Sequence, residues 1–383
     1  MEILFWSLAG LVGYAYVGYP LVLSLRANLS RRTLKVEPIE PSLTVIIAAF
    51  NEQKDIAQKL ELVLSMDYPA ERRQIIVASD CSTDSTHDIV RSFAGRGVEL
   101  VVLPQRGGKT AAQNLAVSQA RGDILVFTDA TTELAPDAFR RLVATFADES
   151  VGCAGAQLEY QSAAGTAVGR GGGLYWRYEK WIKDLESSTN SLIGVSGCLY
   201  AVRRSLYQPI APDLISDFVI ALDTFARGNL CVYAPHALAF EKTNEDADRE
   251  FSMRCRVVVR SINALVQRAN MLNPLRYGFY ALQLWSHKVL RYLVPEFLIA
   301  AFIVSVILAS NGSSRAFAYR WLVALQLAGY VLVPLAYLLC RRLNIKTRLL
   351  SAPFYFVHAN AAAFWGLVTY LRGSRQVTWT TVR

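Results

Sequence analysis

The chain predicts an α/β domain on a mostly parallel, nucleotide-binding type of sheet, flanked by hydrophobic α-helices. Three observations carry that expectation. Short apolar, β-rich runs alternate with single helical stretches in the first third of the chain. Two of those runs end in aspartate, at Asp80 and Asp129. Long, nearly uncharged segments lie at both ends.

Leu43–Ala49 reads as a buried strand leading into Phe50-Asn51-Glu52, with a helix after it. There follow a strand over 74–79, a helical stretch from Thr83 to Phe93, a strand over Val98–Leu103, an Ala- and Gln-rich helix over 108–120 and a strand over 124–128. Strands separated by single helices imply parallel pairing through right-handed crossovers. In such open sheets ligands bind beyond the carboxyl ends of the strands. Asp80 and Asp129 stand at two such ends, so both carboxylates are expected to face one crevice. The competing assignment is that a strand-end aspartate caps the next helix. Asp217, in Ile215-Ser-Asp-Phe218, carries the same pair of readings: a carboxylate working in the crevice, or the N-cap of a helix over Phe218–Leu222.

Composition adds a membrane. The chain is 53% hydrophobic with a mean hydropathy of +0.25, high for a soluble α/β enzyme. Ile3–Leu25 is long enough to span a bilayer. Glu2 stands where a signal peptide carries basic residues, and Arg26, Arg31 and Arg32 follow the apolar run. That order favours a retained anchor with a cytoplasmic domain behind it. Pro295–Ser310, Trp321–Cys340 and Leu349–Leu371 are further segments of membrane or near-membrane length. The expected plan is an anchor over 1–26, a catalytic domain over 40–245, amphipathic interface helices over 246–294, transmembrane or re-entrant segments over 295–371 and a cytoplasmic tail over 372–383. The protein is thus expected as a multi-pass component of the inner (plasma) membrane. Three crossings after a cytoplasmic domain leave the tail outside, whereas Arg372, Arg375 and Arg383 favour the inside. Pro353, His358 and Asn360 suggest that 349–371 is kinked or re-entrant, which reconciles the two.

The net charge is +9, with basic residues such as Arg276, Lys288 and Arg291 among Leu, Tyr and Trp, a pattern suited to an anionic leaflet. No basic recognition helix or aromatic platform stands out, so nucleic acid is not expected as a partner. The six cysteines show no CxxC pairing and no zinc spacing with histidine, which fits reduced thiols. Gly169-Arg-Gly-Gly-Gly173 reads as a mobile loop over the site.

Six motifs stand in order: Val45-Ile-Ile-Ala-Ala-Phe-Asn-Glu52, Ser79-Asp-Cys-Ser-Thr-Asp84, Gly107-Gly-Lys-Thr-Ala-Ala-Gln-Asn114, Phe127-Thr-Asp-Ala-Thr131, Gly197-Cys-Leu-Tyr-Ala-Val-Arg-Arg204 and Ser216-Asp-Phe218. Together they resemble the membrane-bound family 2 glycosyltransferases, near the hyaluronan, chitin and cellulose synthase branch and related bacterial exopolysaccharide enzymes. The similarity runs from about residue 43 to 260. It implies a GT-A fold and a set of roles. Ala48, Phe50, Asn51 and Glu52 would hold the nucleoside, Asp80 would accept from the uracil imide, and Lys109 would lie near the nucleotide. Leu103 stands where a P-loop needs its first glycine, so Gly108-Lys-Thr110 is not read as one.

Asp129 begins the segment similar to the family's DxD, with Thr131 in place of the second acid. Mg²⁺ or Mn²⁺ bridging a diphosphate needs only one or two protein carboxylates, so Asp129 and Thr131 are the expected metal contacts. Asp217 matches the catalytic base, preceded by Ser216 where the family carries an acid. Arg256 matches the arginine of a Gln-x-x-Arg-Trp motif whose Gln and Trp are absent here. Gly197, Tyr200 and Trp176 fall in the acceptor region. Trp176 and Trp181 either stack on sugar faces or pack the domain onto interface helices. Trp379 and Arg383 lie in a tail similar to the one that folds onto the nucleotide in hyaluronan synthases.

The resemblance implies an inverting glycosyltransferase. Its donor would be a UDP-sugar, UDP-GlcNAc or UDP-glucose, and its acceptor a polysaccharide or a polyprenyl-linked oligosaccharide at the cytoplasmic face. About four membrane segments are few for an export channel, which points to an export or flippase partner or a homo-oligomer. The alternative is a catalytically weakened GT-A scaffold for polysaccharide assembly, to which Thr131 and Ser216 lend support.

Overall fold

A computed structural model describes residues 1–161, 167–242, 247–311, 315–342, 351–375 and 377–378. Its centre is an eight-stranded sheet: β1 Leu43–Ala49, β2 Arg73–Ser79, β3 Val98–Val102, β4 Ile124–Asp129, β5 Glu133–Leu134, β6 Val151–Gln161, β7 Leu199–Arg203 and β8 Leu230–Lys242. The spatial order is β3-β2-β1-β4-β7-β6-β8-β5. β3, β2, β1 and β4 run parallel, and β7 lies antiparallel between β4 and β6. The first four strands agree with the expected ones to within a residue.

β1 is buried along its whole length. Val45 and Ile47 pack on one face with Leu60, Val63 and Phe139. Ile46 faces the other side with Phe127, Ala112 and Ala116. A parallel sheet covered on both faces needs such continuous apolar strands, and each fully buried aliphatic side chain contributes about 1.5–3 kcal/mol at most. The register aligns Ala49 with Ser79 and Ala48 with Asp129. The carboxyl ends of β1, β2 and β4 are therefore level, and Asp80 and Asp129 stand at one rim.

Among the described residues, three helices are long and apolar enough to cross a membrane: Glu2–Leu29, Phe279–Ser310 and Ala316–Leu339. The apolar stretch expected from Pro295 is the second half of a helix already begun at Phe279. Ser351–Leu371 is one unbroken helix rather than a kinked segment. Pro353 sits in its first turn, where a missing N–H removes no helical bond, and the Asn360 amide donates to the Phe356 carbonyl of its own helix at 2.8 Å. This helix packs on Ala247–Gln267 and on Ala167–Thr189. At Gly366 the approach is close: a Cβ there would lie 2.8 Å from Val258 Cβ. The Gly169–Gly173 run is not a loop, since it lies inside the helix Ala167–Thr189.

A buried polar cluster joins the hydrophobic helices to the sheet domain. His287 Nδ1 lies 2.7 Å from Glu186 and its Nε2 3.2 Å from Glu179. Arg291 pairs with Glu179, the Tyr19 hydroxyl donates to Glu186 at 2.5 Å, and the Tyr178 hydroxyl donates to the Tyr16 carbonyl at 2.7 Å. Three helices, Glu2–Leu29, Ala167–Thr189 and Phe279–Ser310, thereby share one hydrogen-bonded centre.

Candidate active site

Asp80 does not cap a helix. The next helix, Thr86–Ser92, begins after Ser85. The Asp80 Oδ1 instead accepts from the backbone N–H groups of Gly107 and Gly108 at 2.7 and 2.9 Å. Gly108 has φ +88°, a left-handed conformation that glycine adopts without strain. Asp80 is fully buried, and its Oδ2 has no hydrogen-bond partner; Arg106 Nε stands 3.7 Å away. The Arg106 guanidinium also lies 3.7 Å from the centre of the Phe50 ring.

The β1 and β2 loops are tied together around this carboxylate. Asn51 and Cys81 both have positive φ, 53° and 60°. Thr83 N donates to Asn51 Oδ1 at 2.8 Å, Asn51 N donates to Ser82 Oγ at 3.0 Å, and Glu52 N donates to Thr86 Oγ1 at 2.9 Å. Ala48, Phe50 and Glu52 are buried beneath them. The orphaned Asp80 oxygen, the Phe50 ring and Arg106 make a slot with one acceptor, one donor and an aromatic wall.

Asp129 pairs with Lys109. The Lys109 ammonium also lies 3.5 Å from the Gly197 carbonyl. Gly197 is needed here, because a Cβ would come within 2.8 Å of Asp217 Oδ2 and 3.5 Å of Lys109 Nζ. Asp129, Lys109, Gly197 and Asp217 therefore converge, with one lysine spanning the space between the two aspartates. Asp217 is the second residue of helix Ser216–Ala226, follows the N-cap Ile215, and makes no side-chain cap. Burial pushes its carboxyl above the ordinary range, against Lys109, Lys288 and Arg260, which favour the charged form. Burial also works against the Lys109 ammonium, but Asp129 more than compensates and holds it charged.

Lys59 and Glu241 join the site without having been singled out from the motifs, and the arginines of helix Ala247–Gln267 take distinct places around it. Lys59 is buried, donating to Thr128 Oγ1 at 2.9 Å and to the Thr132 carbonyl at 2.6 Å. Desolvation lowers its pKa to about 7, although Asp129 opposes this. Glu241 on β8 accepts from Thr132 Oγ1 at 3.1 Å; burial and then the Asp129 charge raise its pKa. Arg260 is buried. It donates to Thr110 Oγ1 at 3.0 Å, to Pro212 O at 3.3 Å and to Leu214 O, fixing the turn that delivers Asp217. Arg256 is lowered by burial and favoured by Asp129, so it lies within reach of that carboxylate's field. Arg254 is spent on Glu250 at 2.7 Å and on Tyr355.

No cluster of three His, Cys, Asp or Glu side chains able to hold a metal exists among the described residues. The Asp129 charge nevertheless acts on Glu241, and one or two such carboxylates together with a diphosphate are a donor set that suits a divalent ion. The residues fit such an ion. Two acceptor expectations fare differently. Tyr200 is wholly buried and stacked on Phe127 at 4.9 Å, so it is core and offers no face to a ligand. Trp176 lies against Tyr160 at 4.7 Å and Tyr175 at 5.4 Å, half-buried in an aromatic cluster. Trp379 and Arg383 lie outside the described residues. The Val377 carbonyl reaches the nucleotide-side loop, where a Cβ on Gly108 would meet it at 2.5 Å.

Residues 44–210 match the family model Glycosyl transferase family 2. This part of the chain is similar to family 2 glycosyltransferase domains. The chain is 27% identical over 224 residues to the probable glycosyltransferase YdaM of Bacillus subtilis, covering 54% of this chain and 51% of that protein. It is 29% identical over 118 residues to the succinoglycan biosynthesis protein ExoO of Rhizobium meliloti, covering 31% of this chain and 32% of that protein. The chain thus spans about half or less of these curated relatives. Among solved structures, the mannosyltransferase PcManGT of Pyrobaculum calidifontis, in complex with GDP-Man and Mn²⁺, superposes with a TM-score of 0.74 at 21% identity, over 97% of this chain and 98% of that one. That likeness fixes the architecture: a GT-A glycosyltransferase fold together with its flanking apolar helices.

Proposed function

We propose that this transferase is an inverting enzyme of the inner membrane that moves a sugar from a UDP-sugar to a saccharide or lipid-linked saccharide. The observation that carries the reading is the meeting of Asp217, Lys109 and Asp129 at the carboxyl rim of the sheet. The nucleobase enters the slot at Asp80, Phe50 and Arg106, its imide N–H donating to the Asp80 oxygen that lacks a partner. Asn51 and Glu52 hold the loop that frames it. Lys109 and Arg256 face the diphosphate. Asp217 takes the proton of the acceptor hydroxyl as its oxygen bonds to the anomeric carbon. The bond to the diphosphate breaks on the other side and its electron pair leaves with the phosphate. General-base help of this kind contributes about 10²- to 10⁴-fold. A bound Mg²⁺ or Mn²⁺, held by Asp129 with Glu241 or Thr131 beside it, supplies electrostatic stabilisation of the leaving diphosphate.

Three crossings, by Glu2–Leu29, Phe279–Ser310 and Ala316–Leu339, put the tail on the same side as the catalytic domain if Ser351–Leu371 stays at the interface. The contact between Val377 and the Gly108 loop and the charge distribution both support a cytoplasmic placement. Export of a product then falls to a partner protein or a second copy.

The test is a panel of UDP-sugars, with GDP-mannose included because the Pyrobaculum structure holds it. Nucleoside diphosphate release is measured from the purified full chain, with Asp217→Asn as control. Turnover should fall by about 10²- to 10⁴-fold in that variant while UDP binding persists. Unaltered polymer output in cells carrying it would instead make the protein an assembly scaffold.

A further inference from the structure

We infer, building on the transferase reading above, that Lys59 is a positioning residue: it braces the loop that carries Asp129 and Thr131 and ties that loop to the segment framing the nucleoside. Lys59 lies on the helix Ile56–Leu64 and is only 2% exposed. Its Nζ donates to Thr128 Oγ1 at 2.9 Å and to the Thr132 carbonyl at 2.6 Å. Thr128 directly precedes Asp129, and Thr132 directly follows Thr131. One amine therefore grips the loop immediately before and immediately after the two residues expected to meet a metal ion.

Both ends of this brace are fixed. At the loop, Thr132 N donates to the Asp129 carbonyl at 3.3 Å, and Thr132 Oγ1 donates to Glu241 at 3.1 Å. Thr128 and Thr132 are buried, so water cannot readily replace the bonds that Lys59 supplies. At the helix, the N–H groups of Asp55 and Ile56 donate to the Glu52 carbonyl at 3.0 and 2.9 Å, and Lys59 N donates to the Asp55 carbonyl at 3.0 Å. The helix thus starts from the Phe50–Glu52 segment, and one turn later its lysine reaches the end of β4. A single short element joins the nucleoside side of the donor site to the diphosphate side.

The surroundings of Lys59 give no other reason for an amine. Ile56, Leu60 and Val63 share its buried helix face, where an apolar side chain would pack without losing hydration. Both of its bonds go to uncharged oxygens, and either the charged or the neutral amine can donate them. The brace therefore acts through geometry and needs no change of protonation. Groups that orient metal contacts in this way typically matter about 10- to 100-fold in metal affinity.

The experiment uses the full chain in lipid nanodiscs. UDP and GDP are titrated by calorimetry with Mn²⁺ and again with a chelator, and Mn²⁺ binding is read separately by electron paramagnetic resonance. Lys59→Met should weaken Mn²⁺ binding, and nucleotide binding in Mn²⁺, by about 10- to 100-fold, while nucleotide binding in chelator stays at the wild-type value. Thr128→Val, which removes one of the two contacts and leaves the lysine in place, should show a smaller loss of the same selective kind. It should add little on top of Lys59→Met, because both variants act on one contact. Unchanged Mn²⁺-dependent binding in both variants overturns the inference. Equal losses with and without Mn²⁺ also overturn it, since they mark a general disturbance of the fold. Wild-type nucleotide binding that is indifferent to Mn²⁺ overturns the metal reading of Asp129 and this inference with it. Failure of the wild type to bind either nucleotide is the distinct result that overturns the transferase reading.

Discussion

Asp80→Asn separates the two jobs assigned to one carboxylate. Its Oδ1 anchors Gly107 and Gly108 through bonds of 2.7 and 2.9 Å, and its Oδ2 waits, buried and unbonded, for the base. Asparagine can turn its carbonyl towards the two glycine N–H groups and so keep the loop. Its amide nitrogen then occupies the second position and meets the base N–H donor to donor. The loss is one hydrogen bond to a charged acceptor, about 1.5–3 kcal/mol. At about 1.4 kcal/mol per decade this weakens UDP binding roughly 10- to 150-fold. Titration calorimetry with UDP measures it, and the melting temperature should scarcely move. Asp80→Ala should lose the binding and loosen the loop as well, lowering the melting temperature. Wild-type UDP affinity in Asp80→Asn would refute the assignment of that oxygen to the nucleobase.

Other perturbations test other parts of the site. Asp217 must be ionised to act, so kcat/KM should fall on the acid side with a midpoint above the usual carboxylate range; Lys109→Met removes the largest influence opposing burial and should move that limb to higher pH. An unmoved limb would mean that another group titrates there. Gly197→Ala drives a methyl to 2.8 Å from Asp217 Oδ2 and should reduce kcat by more than about tenfold with UDP affinity kept; full activity would show that the base has room to shift. Lys59, lowered from 10.5 to about 7, should make stability rise with pH across that window, because there the unfolded chain holds a proton that the native lysine lacks. Melting curves of wild type and Lys59→Met should therefore converge or diverge with pH in that range, and parallel curves would contradict the lowered value.

The strands and carboxylates were legible because the first half of the sheet obeys simple rules. β1, β2 and β4 are unbroken apolar runs, and the aspartates after them follow from where such strands end. β6 was harder to see. Its Val151-Gly-Cys-Ala-Gly-Ala start is rich in small residues because neighbouring segments cross it closely: a Cβ on Gly155 would lie 2.8 Å from Val195. β8 contains Pro235, and its register with β6 slips between Ala156 and Gln157. Lys59 carried a signal that could have been used. It shares the buried face of its helix with Ile56, Leu60 and Val63, and a lysine on an apolar stripe must find polar partners inside. Glu241 carries no comparable mark, since its burial depends on helices and strands distant in sequence. Tyr200 misled for the opposite reason: its motif adjoins the site, but strand alternation turns its ring into the core.

The knot of Glu179, Glu186, His287, Arg291 and Tyr19 has a practical corollary for anyone wishing to work with a soluble fragment. Cutting the chain before the sheet and again after β8 would strip two acids of the guanidinium, imidazole and phenol that now satisfy them, and breaking such a buried ion pair costs about 3–5 kcal/mol. The hydrophobic helices are therefore not a detachable tether. Purification should start from intact membranes, and thermal unfolding of the lipid-embedded chain is expected to register anchor and sheet domain melting as a single cooperative event.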